Sequence, residues 1–101
     1  MRSSDILKGV LVAREKYTVL IKKPARKALD LIPEKIRKHI NEKLKRLSND
    51  PIGEAEGGPM SGYDNRFKFR QGGYRVIYEV FEEEVTVEVI KIGARGDVYK
   101  D

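Results

Sequence analysis

Arg66-Phe67-Lys68-Phe69-Arg70-Gln71-Gly72-Gly73-Tyr74-Arg75-Val76-Ile77-Tyr78-Glu79-Val80-Phe81 is the stretch on which the fold turns. Its first five residues alternate strictly between cationic and aromatic side chains. Successive side chains of a strand point to opposite faces, so Phe67 and Phe69 are predicted to enter a core while Arg66, Lys68 and Arg70 share the other face. Gly72-Gly73 separates this run from a second strand, Tyr74 to Phe81, by a link of hairpin length, and pairing through it brings Arg75 to the same cations. A third run, Val85 to Ile92, follows Glu82-Glu83-Glu84 at hairpin length again.

Upstream, Ile52 to Asp64 holds Gly53, Gly57, Gly58, Pro59 and Gly62, a composition that predicts a loop. Before it, Ile36, Ile40, Leu44 and Leu47 recur at helical spacing, with Lys35, Arg37, Lys38, Lys43, Lys45 and Arg46 on the remainder of that helix. Asn49-Asp50-Pro51 ends it, because a proline disfavours helical geometry in the residue before it. An earlier short helix carries Ala25, Ala28, Leu29 and Ile32 as far as Pro33, whose ring suits a helix start. Tyr17 to Lys22 is rich in β-branched residues and reads as a first strand. The order is β-α-α-β-β-β, an α+β domain: an N-terminal strand, a two-helix hairpin and a three-strand antiparallel meander, with the helices on one sheet face. Residues 1–16 carry a short apolar pattern (Ile6, Leu7, Val10, Leu11) that reads as an amphipathic turn or a frayed tail, an accessory extension ahead of a domain at 17–101.

The chain has 101 residues with 21 Lys+Arg against 16 Asp+Glu, a formal charge of +5 and a single His, which suits one small domain. It has no Cys, so disulfides, thiolate metal sites and thiol nucleophiles are excluded, and a cytoplasmic setting is expected. His39 alone cannot make a His-rich metal site, and it reads as an ordinary helix-surface residue. The apolar stretches fall short of the ~20 residues of a membrane span, so no membrane partner is expected. A pI near 9.5 makes a polyanion the expected partner, because clustered Lys and Arg gain affinity by releasing counterions from phosphates.

Two readings of the cationic strand face stand side by side. One is a solvated, solubilising surface. The other is an anion site, since like charges on neighbouring strand positions are destabilising unless a bound anion relieves them. Gly72-Gly73 is likewise a positive-φ turn or a backbone amide nest for phosphate. Past the last strand come Arg95 and Tyr99. A phenol has a pKa near ~10, which surrounding cations lower by favouring the phenolate.

The runs Arg70-Gln71-Gly72-Gly73-Tyr74-Arg75-Val76-Ile77-Tyr78-Glu79-Val80, Ile92-Gly93-Ala94-Arg95 and Asp97-Val98-Tyr99 resemble the RelE/ParE superfamily of toxins from prokaryotic toxin–antitoxin systems. The likeness extends from about Tyr17 to Tyr99. It implies a ribosome-dependent endoribonuclease that cuts mRNA in the A site without a metal or other cofactor, by attack of the ribose 2′-OH on the adjacent phosphate. Carried over position by position, Lys68, Arg75, Arg95 and Tyr99 would be catalytic, and Arg66, Arg70, Lys43 and Arg46 would hold RNA. The guanidinium of Arg66 stays protonated, which suits binding rather than proton abstraction. The partners implied are the ribosome, mRNA and a RelB-like antitoxin, with the toxin alone a monomer. A ParE-like gyrase inhibitor without nuclease chemistry is the alternative on the same fold.

Overall fold

The computed structural model describes the backbone of residues 10–14 and residues 16–94 in full. Two helices, α1 (Lys23–Asp30) and α2 (Glu34–Leu47), lie between strands β2 (Thr18–Ile21) and β3 (Arg66–Gln71), with β4 (Tyr74–Phe81) and β5 (Thr86–Ala94) following. A further strand, β1 (Val10–Arg14), precedes them, so the segment read as a turn or tail is extended and pairs antiparallel with β2. The sheet order is β1-β2-β5-β4-β3. Strands β3, β4 and β5 form the expected antiparallel meander, while β2 inserts beside β5 in parallel. A parallel neighbour needs a crossover connection, which the two helices supply.

The helices cover one face of this sheet. Leu29 of α1 and Ile40, Leu44 and Leu47 of α2 are buried against Val19, Ile21, Phe67, Phe69, Val76, Tyr78, Val87 and Val89. Each fully buried aliphatic side chain contributes about 1.5–3 kcal/mol relative to exposure. Pro24 stands in the first turn of α1, where its missing N–H costs no helical hydrogen bond. Pro33 caps α2, its carbonyl accepting from the Ile36 and Arg37 amides.

Residues 51–64 carry no strand or helix, as their glycines predict, yet they are fastened at several points. Buried Tyr78 donates its hydroxyl to the Pro51 carbonyl at 2.7 Å, and the Asp50 carboxylate accepts from the Gly53 amide at 3.0 Å. Farther on, the Glu56 amide donates to the Lys68 carbonyl and the Met60 amide to the Arg66 carbonyl. The loop thereby covers the outer edge of β3, an edge that would otherwise offer free backbone groups to another chain. Among the described residues no helix is long and apolar enough to cross a membrane.

The link between β4 and β5 holds one departure from expectation. Val85 adopts φ of 51°, so it belongs to the turn and the strand begins at Thr86. A β-branched residue there is an outlier.

Candidate RNA-binding face

Phe67 and Phe69 are buried at 4% and 0% exposure, while Arg66 and Lys68 are half-buried and Arg70 is exposed, so the alternation in β3 sorts as the sequence predicts. Gly72 and Gly73 both have positive φ, at 58° and 85°, the geometry of a type I′ hairpin turn. Gly72 also sits against α2, where an added Cβ would fall 2.9 Å from the Ile36 side chain.

The turn fixes which residues meet across the strands. Gln71 and Tyr74 close the hairpin, so Arg70 and Arg75, the next pair out, are a non-hydrogen-bonded pair with Cα atoms about 4.5 Å apart. The Arg70 amide accordingly points away from β4, donating to Glu56 Oε2 at 3.1 Å. Lys68 stands opposite Ile77 and Arg66 opposite Glu79 on the same face.

Strand β5 adds a residue that strict alternation misses. Ile77 pairs with Lys91 and Tyr78 with Val89, leaving Ile90 as an extra, bulged residue. In an unbroken strand Lys91 would share the core face of Val87 and Val89. The bulge puts it on the open face, across Ile77 from Lys68. A lysine at an otherwise inward position in Val89-Ile90-Lys91-Ile92 is the sequence signal for that bulge.

One end of the face thus gathers Lys68, Arg70, Arg75 and Lys91, beside a pocket of about 260 Å³ lined, among the described residues, by Arg70, Gly73, Tyr74 and Arg75. Glu56 reaches Arg70 from the loop, 2.9 Å from Nε. The other end is charge-matched. Arg66 donates from Nε and Nη2 to Glu79 Oε2, at 3.1 and 2.7 Å, and its guanidinium lies over the Tyr63 ring, 4.0 Å from the centroid. Glu88 faces Glu79 across the strands and is met by Lys22 at 3.6 Å.

Lys43 and Arg46 are not part of this cluster. They stand on α2, on the opposite side of the sheet, and both approach Glu54 Oε1, at 2.9 and 3.6 Å. Lys43 also lies over the core-facing Phe69 ring. Hydrogen bonding from Lys43 is the main cause that holds the Glu54 carboxyl below its ordinary pKa. His39 pairs loosely with Glu42 on the helix surface. Arg95 and Tyr99 lie outside the described residues. The last described residue of β5, Ala94, pairs with Tyr74, and Gly93 pairs with Arg75.

Residues 19–99 match the family described as ParE toxin of type II toxin–antitoxin system, parDE. The chain belongs to the RelE/ParE superfamily of toxins. Toxin RelG of Mycobacterium tuberculosis is 30% identical over 87 residues, which cover 83% of this chain and 97% of the relative. The mRNA interferase toxin RelE of Escherichia coli is 31% identical over 70 residues, or 65% of this chain and 72% of the relative. Among solved structures, the isolated E. coli RelE toxin superposes with a TM-score of 0.69 at 27% identity, covering 82% of this chain and 90% of that one. The toxin chain of the archaeal RelE–RelB complex from Pyrococcus horikoshii gives 0.68 at 26% identity, covering 82% and 99%. The protein is a RelE-like toxin, and its mixed sheet with helices on one face is the RelE fold.

Proposed function

We propose that this toxin is a ribosome-dependent endoribonuclease that cuts mRNA in the A site and so arrests translation in the cytoplasm. The observation that carries the reading is the convergence of Lys68, Arg70, Arg75 and Lys91 at one end of the open sheet face. Relatives named RelE, RelG and mRNA interferase support a nuclease over a gyrase inhibitor.

In this mechanism the ribose 2′-oxygen attacks the adjacent phosphorus while the P–O5′ bond breaks. The products are a 2′,3′-cyclic phosphate and a 5′-OH, and the proton lost from the 2′-OH is balanced by one delivered to the leaving oxygen. No metal is called for. Lys68 and Arg75 stabilise charge on the phosphorane-like transition state, Arg95 adds a further cation, and Tyr99 exchanges protons, an effect worth roughly 10² to 10⁴ in rate. Arg70 grips the RNA backbone, a contribution that weakens with salt. Lys43 and Arg46 on the far side of the sheet would meet ribosomal RNA rather than the scissile strand. A RelB-like antitoxin is the proposed resting partner, since solved relatives are toxin–antitoxin complexes.

Primer-extension mapping of an mRNA on programmed ribosomes tests the reading, with the wild-type chain, Tyr99→Phe and Arg75→Ala. Discrete A-site cuts that require ribosomes and fall steeply in both variants are expected. A folded, ribosome-binding protein that leaves mRNA intact would sink the nuclease reading.

A further inference from the structure

At the charge-matched end of the open face, an aromatic ring is held ready on a loop. Tyr63 is 46% exposed and is not part of the hydrophobic core cluster, yet it is pinned. Its amide donates to the Met60 carbonyl at 3.0 Å, and Met60 in turn donates to the Arg66 carbonyl of β3 at 2.7 Å. The Arg66 guanidinium lies against the ring and is itself clamped by Glu79 through two nitrogens. Glu79 thus holds the guanidinium by its N–H groups, and the guanidinium packs on the ring, beside Lys68 and Arg70 on the same strand.

The chemistry of this stack selects its ligand. Glu79 neutralises Arg66, and Glu88 lies opposite Glu79, so a phosphate gains little there and meets two carboxylates. A nucleobase carries no charge and presents a π-face, which an exposed aromatic ring binds by stacking irrespective of sequence. Arg66 and Arg70 are four residues apart on one strand, roughly 13 Å at strand rise, the reach of a short run of nucleotides. We propose that Tyr63, oriented by Arg66 and Glu79, is a stacking platform for an unpaired base of the RNA whose phosphates occupy the Lys68–Arg70–Arg75 end. This rests on the RNA-cleaving reading of the same face and adds a base-binding subsite to it.

The test uses ribosomes programmed with an mRNA bearing 2-aminopurine at successive positions of the A-site region. In one set the scissile nucleotide carries a 2′-deoxyribose, so binding is seen without cleavage. Stacking on Tyr63 quenches the fluorophore at one position, and Tyr63→Ala abolishes that quench while Tyr63→Phe, which keeps the ring face, restores it. With cleavable mRNA, Tyr63→Ala raises the half-saturating toxin concentration by about 5- to 150-fold, as expected for loss of one stacked base, with the saturated rate within about two-fold of wild type. Wild-type cleavage that Tyr63→Ala matches in half-saturation and in quenching overturns the subsite and leaves the nuclease standing. A wild-type chain that neither cuts nor quenches overturns both.

Discussion

The two ends of the open sheet face are built from the same three strands, but their charges are arranged differently. At the Arg66 end the register sets cation against carboxylate, Arg66 opposite Glu79 with Lys22 meeting Glu88. At the hairpin end it sets Arg70 against Arg75, with Lys68 and Lys91 one row behind across Ile77. Like charges directly opposite destabilise a sheet. Each end holds one such pair, Arg70 with Arg75 and Glu79 with Glu88, and each is met from outside it: Arg66 and Lys22 reach the two carboxylates, and Glu56 reaches Arg70. The difference teaches that the hairpin end gathers more cations, as the proposed RNA-binding role asks of it, while the other end joins two cations to two carboxylates.

The largest effect that sharpens this contrast belongs to the hairpin end. Arg75→Ala is expected to lower the single-turnover cleavage rate on programmed ribosomes by about 10² to 10³, the usual cost of removing one preorganised donor from a developing charge, or roughly 3–4 kcal/mol. The fold is expected to persist, because Arg75 belongs to the face turned away from the helices and is only half-buried. A variant that cuts at the wild-type rate would break the contrast at its root.

A smaller effect comes from making the matched end resemble the other. Glu79→Gln leaves Arg66 without its carboxylate but also relieves the opposition of Glu79 and Glu88, so a net loss of about 1 kcal/mol in urea unfolding is expected. The freed guanidinium then becomes available to phosphate. The slope of log affinity for single-stranded RNA against log salt should steepen by about 0.7, the increment for one additional phosphate contact. An unchanged slope would mean that Arg66 is kept from RNA by something other than Glu79.

Much of this contrast was legible in the sequence, and the rest had physical reasons to be hidden. Arg66 to Arg70 spoke plainly because a strand with one buried face has a period of two and no freedom to slip, and Gly72-Gly73 fixed the partner strand. The helix stripe Ile40, Leu44 and Leu47 was equally direct, since burial enforces its spacing. Residues 66–75 contain no carboxylate, whereas the structure brings Glu56 from a loop and Glu79 from farther along β4. Such partners are set by strand register and loop path, which local pattern does not encode. The same holds for the parallel pairing of β2 with β5, whereas the bulge at Ile90 that turns Lys91 outward left its one local sign in a lysine at an otherwise inward position. Strand β1 lacked a clean alternation, so its pairing with β2 had no local signal. Of the residues carried over from the family likeness, Lys68 and Arg75 share the cluster, Arg66 belongs to the matched end, and Lys43 and Arg46 belong to the other side of the sheet.

The smallest effect concerns that other side, where charges are again matched. Glu54 accepts from Lys43 and lies near Arg46, and this pairing lowers its carboxyl pKa from the ordinary 4.5. A carboxylate with a lowered folded-state pKa contributes stability that is fully present above the unfolded value and fades as pH falls through the folded one. The trio is partly solvated, so the contribution is about 0.5 kcal/mol. Urea midpoints measured for the wild type and Glu54→Gln should therefore differ by a constant amount near neutrality and converge below pH ~4.5, as protonation removes from the wild type what the variant already lacks. If the two curves run parallel down to pH 3, the Lys43–Glu54 pair adds nothing to folding. Glu54 would then place no hold on Lys43, and the charge pairing of the Arg66 end would have no energetic counterpart on the helix side.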